Sequence, residues 1–574
     1  MALAPLGAAR AQNAADTVAP EAATGLAARD ATQPVAAKRW MVSAANPLAA
    51  AAAADVLRKG GTAADAAITT QAVLGLVEPQ SSGLGGGAFL VYYDAATGTL
   101  TTLDGRETAP AAATPKLFQD EDGKPLSFFS AVIGGRSVGV PGTPALLLDM
   151  HARWGKTPFA DLLKPASSLA RTGFAVSPRL AGLVAGGQEA LSQHGPTRAY
   201  FLPDGQPLQE GVLLKNPSYA DVLDALAAKG RAGFYEGPIA QGIIDTVQGF
   251  AANPGKMALS DLANYQVKER KPVCVTYRDH DVCGMGPPSS GALTVGQILK
   301  LVEPIDVASL GPQSPQAWRL IGDASRLAFA DRGLYMADSD FVKMPTKGLL
   351  KKEYLAERAE LLFRDDALEG VEPGEPEWDE ASLLAPDESL ELPSTTHFSI
   401  VDSAGNVVSM TSTIENGFGS RLMTNGFLLN NELTDFSFRD MKDGKPIANR
   451  VEPGKRPRSS MAPTIVMQDG KPVIAIGSPG GSRIIGYVAK TLIAMIDCNM
   501  NVQQAISSPH LVNRFGRYDL EQGTATEALK GPLEAIGYET EARALTSGLH
   551  GIVITSDGLL GGADPRREGV AIGE

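Results

Sequence analysis

The sequence predicts a layered α/β (α+β) protein, with strands gathered into sheets and helices packed over them. Three observations lead there. Strand-like runs flank a long central stretch, residues 143–363, of helical character. β-rich character returns abruptly at Thr395, behind an acidic segment. No internal repeat divides the 574 residues into modules.

In chain order, residues 40–44 read as a short strand. Asn46 can cap a helix over residues 47–59, since proline suits a first helical turn, and Gly60-Gly61 stops it. Thr62 caps a second helix reaching about Leu76, with apolar residues at helical spacing. The glycine loop 83–87 leads into two strands, 88–93 and 99–104. Inside the helical middle, Cys274 and Cys283 flank a hairpin turning at Arg278-Asp279, and Pro287-Pro-Ser-Ser-Gly291 reads as a turn. The hairpin sets the two cysteines across from one another, where a disulfide and a pair of free thiols are both compatible with the spacing. Cys498 is left over. Beyond residue 394, strands 395–401 and 406–414 are joined by the turn Asp402-Ser-Ala-Gly-Asn406. Shorter strand-like runs follow at 427–429 and 464–467. An apolar helix, 484–496, is entered through Gly480-Gly481-Ser482.

Bulk properties exclude several functions. A hydrophobic share of 44% and a charged share of 20% are those of a globular chain. No apolar run reaches the ~18 residues of a membrane span. A formal net charge of −13 argues against nucleic acid, whose phosphates need a basic partner. The six histidines are scattered without metal-ligand spacing, so no metal is expected.

Two segments are expected to stand outside the folded body. Residues 1–36 are rich in Ala, Thr and Pro, and Ala9-Arg10-Ala11 has the small-residue pattern that precedes a signal-peptidase cut. The basic start and apolar core of a leader are missing. The reading is a leader remnant on a periplasmic or secreted protein, or a cytoplasmic protein if the match is accidental. From Asp365 to Glu391, eleven residues are Asp or Glu and none is Lys or Arg. With several prolines and no period, residues 365–394 read as an exposed, mobile linker.

Thr395 opens the β-rich part directly behind that linker. A hydroxyl at a strand start can attack the carbonyl of the preceding residue, here Ser394. Hydrolysis of the resulting ester frees a threonine whose own α-amine lies beside its hydroxyl. An α-amine titrates at about 7.7–8.0, so part of it serves as a base near neutrality. On its own, Thr-Thr is also ordinary strand composition.

The surrounding motifs decide between these readings. After Ser394-Thr-Thr-His-Phe-Ser-Ile-Val401 come Thr411-Ser-Thr-Ile-Glu415, Phe418-Gly419 and Leu429-Asn-Asn-Glu-Leu-Thr-Asp-Phe436. Lys455-Arg-Pro-Arg-Ser-Ser-Met461 and Gly477-Ser-Pro-Gly-Gly-Ser-Arg483 follow. In this order they resemble the small subunit of the γ-glutamyltranspeptidases. Upstream, Gly83-Leu-Gly-Gly-Gly87, Leu103-Asp-Gly-Arg-Glu-Thr-Ala-Pro110, Gly139-Val-Pro-Gly-Thr143 and Pro287-Pro-Ser-Ser-Gly291 resemble the large subunit. The resemblance covers nearly all of the chain after the first ~40 residues.

The resemblance implies a four-layer αββα sandwich of the N-terminal-nucleophile hydrolases, two stacked antiparallel sheets covered by helices. It implies a large subunit, residues 37–394, and a small subunit, 395–574, cut from one precursor and held as a heterodimer in one body. Thr395 matches the nucleophile, Thr413 its neighbour on the next strand, and Gly480 and Gly481 the oxyanion hole. Arg106, Ser459 and Ser460 match the binders of a substrate α-carboxylate, and Glu432 and Asp435 those of its α-ammonium. The implied activity is cleavage of γ-glutamyl amides such as glutathione, with water, an amino acid or a peptide as acceptor and no cofactor. The chain departs from the family at Glu415, where many members carry asparagine beside the substrate amine. It departs also at residues 437–452, which are shorter than longer active-site lids. Two rivals remain: an acylase of the same fold for glutaryl or cephalosporin side chains, and a non-catalytic binder of amino-acid-like ligands.

Overall fold

The computed structural model describes residues 32–378, 384–387 and 389–574. The leader expected over 1–36 lies outside these residues as far as residue 31. Val35 and Ala36, counted with it, belong instead to an edge strand, Val35–Ala37, paired with Gly558–Ala563.

Two seven-stranded antiparallel sheets stack face to face. The first runs Val570–Gly573, Met41–Ala44, Thr396–Val401, Val407–Thr413, Gly87–Asp94, Thr99–Gly105 and Lys268–Arg270. The second runs Val35–Ala37, Gly558–Ala563, His550–Thr555, Lys471–Gly477, Thr464–Gln468, His280–Gly284 and Val273–Tyr277. Side chains on a strand alternate between faces, and here both faces are buried. Met41, Val91, Val401 and Val407 of the first sheet meet Ile465, Ala475 and Ile552 of the second. Phe398, Ile400, Val408 and Met410 point the other way, into helices over the first sheet. The interior between the sheets is partly polar. His397 is hydrogen-bonded through Nδ1 to Thr411 Oγ1 (2.8 Å) and through Nε2 to Ser399 Oγ (3.2 Å). Burial drives its pKa well below the ordinary histidine value, so the ring is neutral.

The helices form outer layers on both sides. Over the first sheet lie Pro47–Arg58, whose first turn is capped by Asn46, and Ala63–Val77, which opens on a Thr62–Asp65 capping box. The second of these is buried along its whole length, and its alanines and glycine let neighbouring helices come close. Over the second sheet lie Gly291–Val302, Pro315–Tyr335 and Arg483–Ile496. This is the αββα arrangement expected. Cys274 and Cys283 face each other in the hairpin register and form a disulfide, while Cys498 is free.

Two features went beyond the sequence reading. The acidic segment, expected to stand exposed, lies along the body in its described part: Ala367, Leu368, Ala385, Glu391 and Ser394 are buried. Both sheets are also built from strands on either side of Thr395. In the first sheet, Thr396–Val401 is flanked by Met41–Ala44 on one side and Val407–Thr413 on the other. Beyond Met41–Ala44 lies the C-terminal strand, Val570–Gly573.

Candidate active site

Sheet pairing sets the centre of the site. Thr396 pairs with Ser412, so Thr395 and Thr413 stand side by side at the strand ends. Thr395 Oγ1 donates to Thr413 Oγ1 at 3.1 Å, and the Glu415 N–H donates to the same Thr413 oxygen at 2.8 Å. Thr395 is buried and has φ 111°. A β-branched residue there is a true outlier, costing about 1–3 kcal/mol. The surroundings hold it: Arg567 Nη1 donates to the Thr395 carbonyl at 2.9 Å, and Ser394 Oγ donates to the Gln80 carbonyl at 2.9 Å. The strain sits on the residue whose preceding peptide bond would be cut.

Around this pair, Arg106, Glu415, Glu432, Asp435, Ser459, Ser460 and Gly481 line the same small cavity. Gly480 lies one residue behind it. Gly480 and Gly481 have φ 137° and 59° and lead into the helix Arg483–Ile496. A backbone of that shape suits glycine, and a helix start favours negative charge.

Charge is dense and paired. Arg106 donates to Glu432, to Asp435 Oδ2 (2.5 Å) and to the carbonyls of Pro457 (3.2 Å) and Arg458 (3.0 Å). Burial opposes its charge, but Glu432, Asp435 and Glu107 outweigh that and raise its pKa. Burial raises both Glu432 and Asp435 well above ordinary carboxylates. It pushes Glu107 up to about 8. Glu432 Oε2 and Asp435 Oδ1 are buried without a hydrogen-bond partner, an arrangement that favours an incoming cationic donor. Glu415, with φ 73°, accepts from the Asn431 side chain and from the Leu392 N–H at 3.1 Å. Burial, then Asp435, raises its pKa.

The cavity is almost filled by the chain itself. Only about 20 Å³ is left, room for one water. Glu391 and Leu392 of the acidic segment are part of its lining, and the Glu391 carboxylate accepts from Ser460 Oγ and from the Arg332 guanidinium. Arg332, Glu391, Glu107, Asn431 and Arg567 were not singled out in the sequence. Glu107 and Asn431 stand inside motifs already quoted. The other three had no local signal.

Replacing Thr413 by valine removes the acceptor for both Thr395 Oγ1 and the buried Glu415 N–H. An orphaned buried donor costs about 1–3 kcal/mol. Chain cleavage is expected to slow by about tenfold or more, read as persistence of the full-length band over a time course.

Residues 49–574 match the family model described as gamma-glutamyltranspeptidase. The glutathione hydrolase proenzyme of Bacillus subtilis (strain 168) is 38% identical over 548 residues, covering 93% of this chain and 92% of that protein. The glutathione hydrolase proenzyme of Escherichia coli (strain K12) is 37% identical over 556 residues, covering 94% and 92%. Among solved structures, the cephalosporin acylase from Bacillus halodurans superposes with a TM-score of 0.83 at 25% identity, covering 94% of this chain and 97% of the other.

Proposed function

This chain belongs to the γ-glutamyltranspeptidase family, and on that footing we propose an autoprocessing γ-glutamyl hydrolase and transferase that works through a threonyl acyl-enzyme. One observation carries the assignment of residues. Thr395 sits strained and hydrogen-bonded to Thr413, in a cavity lined by Glu415, Glu432 and Asp435 and by Ser459, Ser460 and Arg106.

In the first stage Thr395 Oγ1 attacks the Ser394 carbonyl carbon. The peptide C–N bond breaks, its nitrogen takes up the proton lost from Oγ1 to become the new α-amine, and the acyl group moves to oxygen. Water hydrolyses this ester, leaving a Ser394 carboxylate and a free Thr395. The pieces, 394 and 180 residues of the 574, stay together as large and small subunits. In the second stage the α-amine accepts the Thr395 hydroxyl proton as Oγ1 attacks the γ-carbonyl of a donor such as glutathione. Gly480 and Gly481 N–H groups stabilise the oxyanion, and the leaving amine takes the proton. Water, or the amine of an amino acid or peptide, then attacks the ester.

Recognition follows from charge. The donor's α-ammonium is held by Glu432, Asp435 and Glu415, and its α-carboxylate by Ser459, Ser460 and Arg106. Burial, and after it the neighbouring acids, raises their pKa values, and an arriving ammonium offsets both. A glutaryl donor lacks this ammonium and would leave the unpartnered oxygens of Glu432 and Asp435 orphaned. The structural likeness to a cephalosporin acylase keeps that chemistry as the second reading. Hydrolysis of γ-glutamyl and glutaryl anilides, measured side by side, separates the two. The γ-glutamyl compound is expected to be the better donor by about tenfold or more, and Asp435→Asn to lower its kcat/KM about 10- to 100-fold. Faster turnover of the glutaryl compound by the wild type transfers the assignment to the acylase.

We place the mature enzyme in an oxidising compartment, the periplasm or outside the cell. The Cys274–Cys283 disulfide supports this. Among the described residues, no helix is long and apolar enough to cross a membrane.

A further inference from the structure

The γ-glutamyl reading gives the donor carboxylate to Ser459, Ser460 and Arg106. In this structure Arg106 is turned towards the acids, and a second cation stands on the other side of the serines. Both ends of the Arg106 guanidinium are taken by Glu432 and Asp435, and Nε by the Pro457 carbonyl. The cation beside Ser460 is a different one. Arg332 comes from the buried face of the helix Pro315–Tyr335. Its Nε donates to Ser290 Oγ at 2.8 Å, and its Nη2 donates to Ser460 Oγ at 2.8 Å. Ser290 in turn donates to the Ser459 carbonyl at 2.7 Å, so Arg332 is braced against the backbone of the two serines.

The acidic partner of Arg332 is Glu391. That residue stands three positions before Ser394, on the chain end that a cut before Thr395 would free. Beside it, the Leu392 N–H donates to Glu415 at 3.1 Å. The linker thus presents a carboxylate to Ser460 and an N–H to Glu415, the two polar features of an α-amino acid, in a cavity it nearly fills. Arg458 lies 3.6 Å from Glu391 but keeps its own partner, Asp387, at 2.8 Å. Arg332 has no such reserve. Once Glu391 withdraws, a guanidinium only 3% exposed is left against Ser460, beside a second guanidinium. An uncompensated buried charge costs several kcal/mol, so the emptied seat favours an anion.

We propose that Arg332, with Ser460, is a carboxylate receptor of the mature pocket, and that Glu391 is an internal stand-in which occupies it until the chain is cut. The inference rests on the γ-glutamyl reading and adds a specificity-determining residue to it. It also gives the linker a substrate-like role, with Glu391 holding two buried guanidinium groups apart while the precursor folds.

The test uses the mature enzyme and two anilides. One carries the γ-glutamyl group; the other is its decarboxylated counterpart, the 4-aminobutyryl anilide, which keeps the ammonium but has no α-carboxylate. Arg332→Lys keeps a charge and loses the fork. It is expected to raise KM for the γ-glutamyl anilide about tenfold or more with kcat within about threefold, and to change kcat/KM for the 4-aminobutyryl anilide less than about twofold. A purely structural role would lower both donors alike, and equal losses overturn the proposal. Should Arg332→Lys remain uncut, the decision passes to the wild type and an acetylated Glu-Leu-Pro-Ser peptide. Competitive inhibition weakened about tenfold when Gln replaces Glu supports the proposal; equal inhibition by the two peptides, or none, overturns it. Wild-type enzyme that ignores the γ-glutamyl anilide altogether sinks the function itself, a result distinct from any of these.

Discussion

Thr395→Ala is expected to give one uncut chain and to lose at least about a thousandfold in turnover of γ-glutamyl anilide. Two separate losses combine. Without Oγ1 nothing attacks the Ser394 carbonyl, so the peptide bond stays closed and Glu391 stays in its seat. Without cleavage no α-amine forms, so the base is missing as well. The variant should still fold, because Thr395 Oγ1 makes one side-chain hydrogen bond while its carbonyl contact to Arg567 is independent of residue type. A denaturing gel with N-terminal sequencing checks both halves. The wild type should yield a fragment beginning Thr-Thr-His-Phe. A variant that is cut at this position, or an uncut wild type working at full rate, places the nucleophile elsewhere. The φ of 111° adds a driving term. Strain at Thr395 is defined against the acyl group on its nitrogen, so it vanishes when that group leaves.

The second large effect is expected at Gly480. Its φ of 137° disfavours any side chain, and an added Cβ would come within 2.8 Å of the Tyr487 ring. Gly480→Ala must turn the backbone or push Tyr487 aside, and either movement turns the N–H away from the developing oxyanion. Loss of one such donor costs about 10²–10³ in kcat, or roughly 3–4 kcal/mol. KM should change little, since the ground-state carbonyl depends less on that donor than the oxyanion does. Steady-state kinetics on already cleaved enzyme isolates this step. The substitution would also slow the self-cleavage if the same N–H groups serve the Ser394 carbonyl, which a time course of precursor loss reveals. Unchanged kcat, with cleavage intact, would remove Gly480 from the oxyanion hole.

Much of the architecture is legible in the sequence because its signals are local. Asn46 and Thr62 announce helices with their own side chains, and the cap bonds form as expected. The strands after Thr395 are marked by β-branched residues, and the hairpin 273–284 by its turn. The C-terminal strands are quieter. Gly558–Ala563 reads Gly-Leu-Leu-Gly-Gly-Ala, a composition poor in strand formers, and pairing on both sides, with Val35–Ala37 and His550–Thr555, overrides it. The cavity residues in motifs came from resemblance as much as from physics. Those outside motifs were silent because only the tertiary fold assembles them. Arg332 meets Glu391 across 59 positions, and Arg567 meets Thr395 across 172. Glu391 was the harder of the two, one acid among eleven in a stretch whose composition spoke for solvent.

The sharing of both sheets between the two halves makes assembly a matter of history. Thr396–Val401 lies between Met41–Ala44 and Val407–Thr413, and the terminal Glu574 carbonyl accepts from the N–H groups of Lys38 (3.0 Å) and Arg39 (2.6 Å). Neither half owns a complete sheet, so neither can shed the other without unravelling its own ladder. Before the cut, every partner strand is tethered and refolding is a unimolecular search. Afterwards, a denatured molecule becomes two separate solutes whose reunion depends on concentration. A cut before Thr395 would therefore act as a ratchet: it would leave the native shape intact and remove the easy way back to it, so that the cleaved protein would persist by unfolding slowly rather than by refolding well.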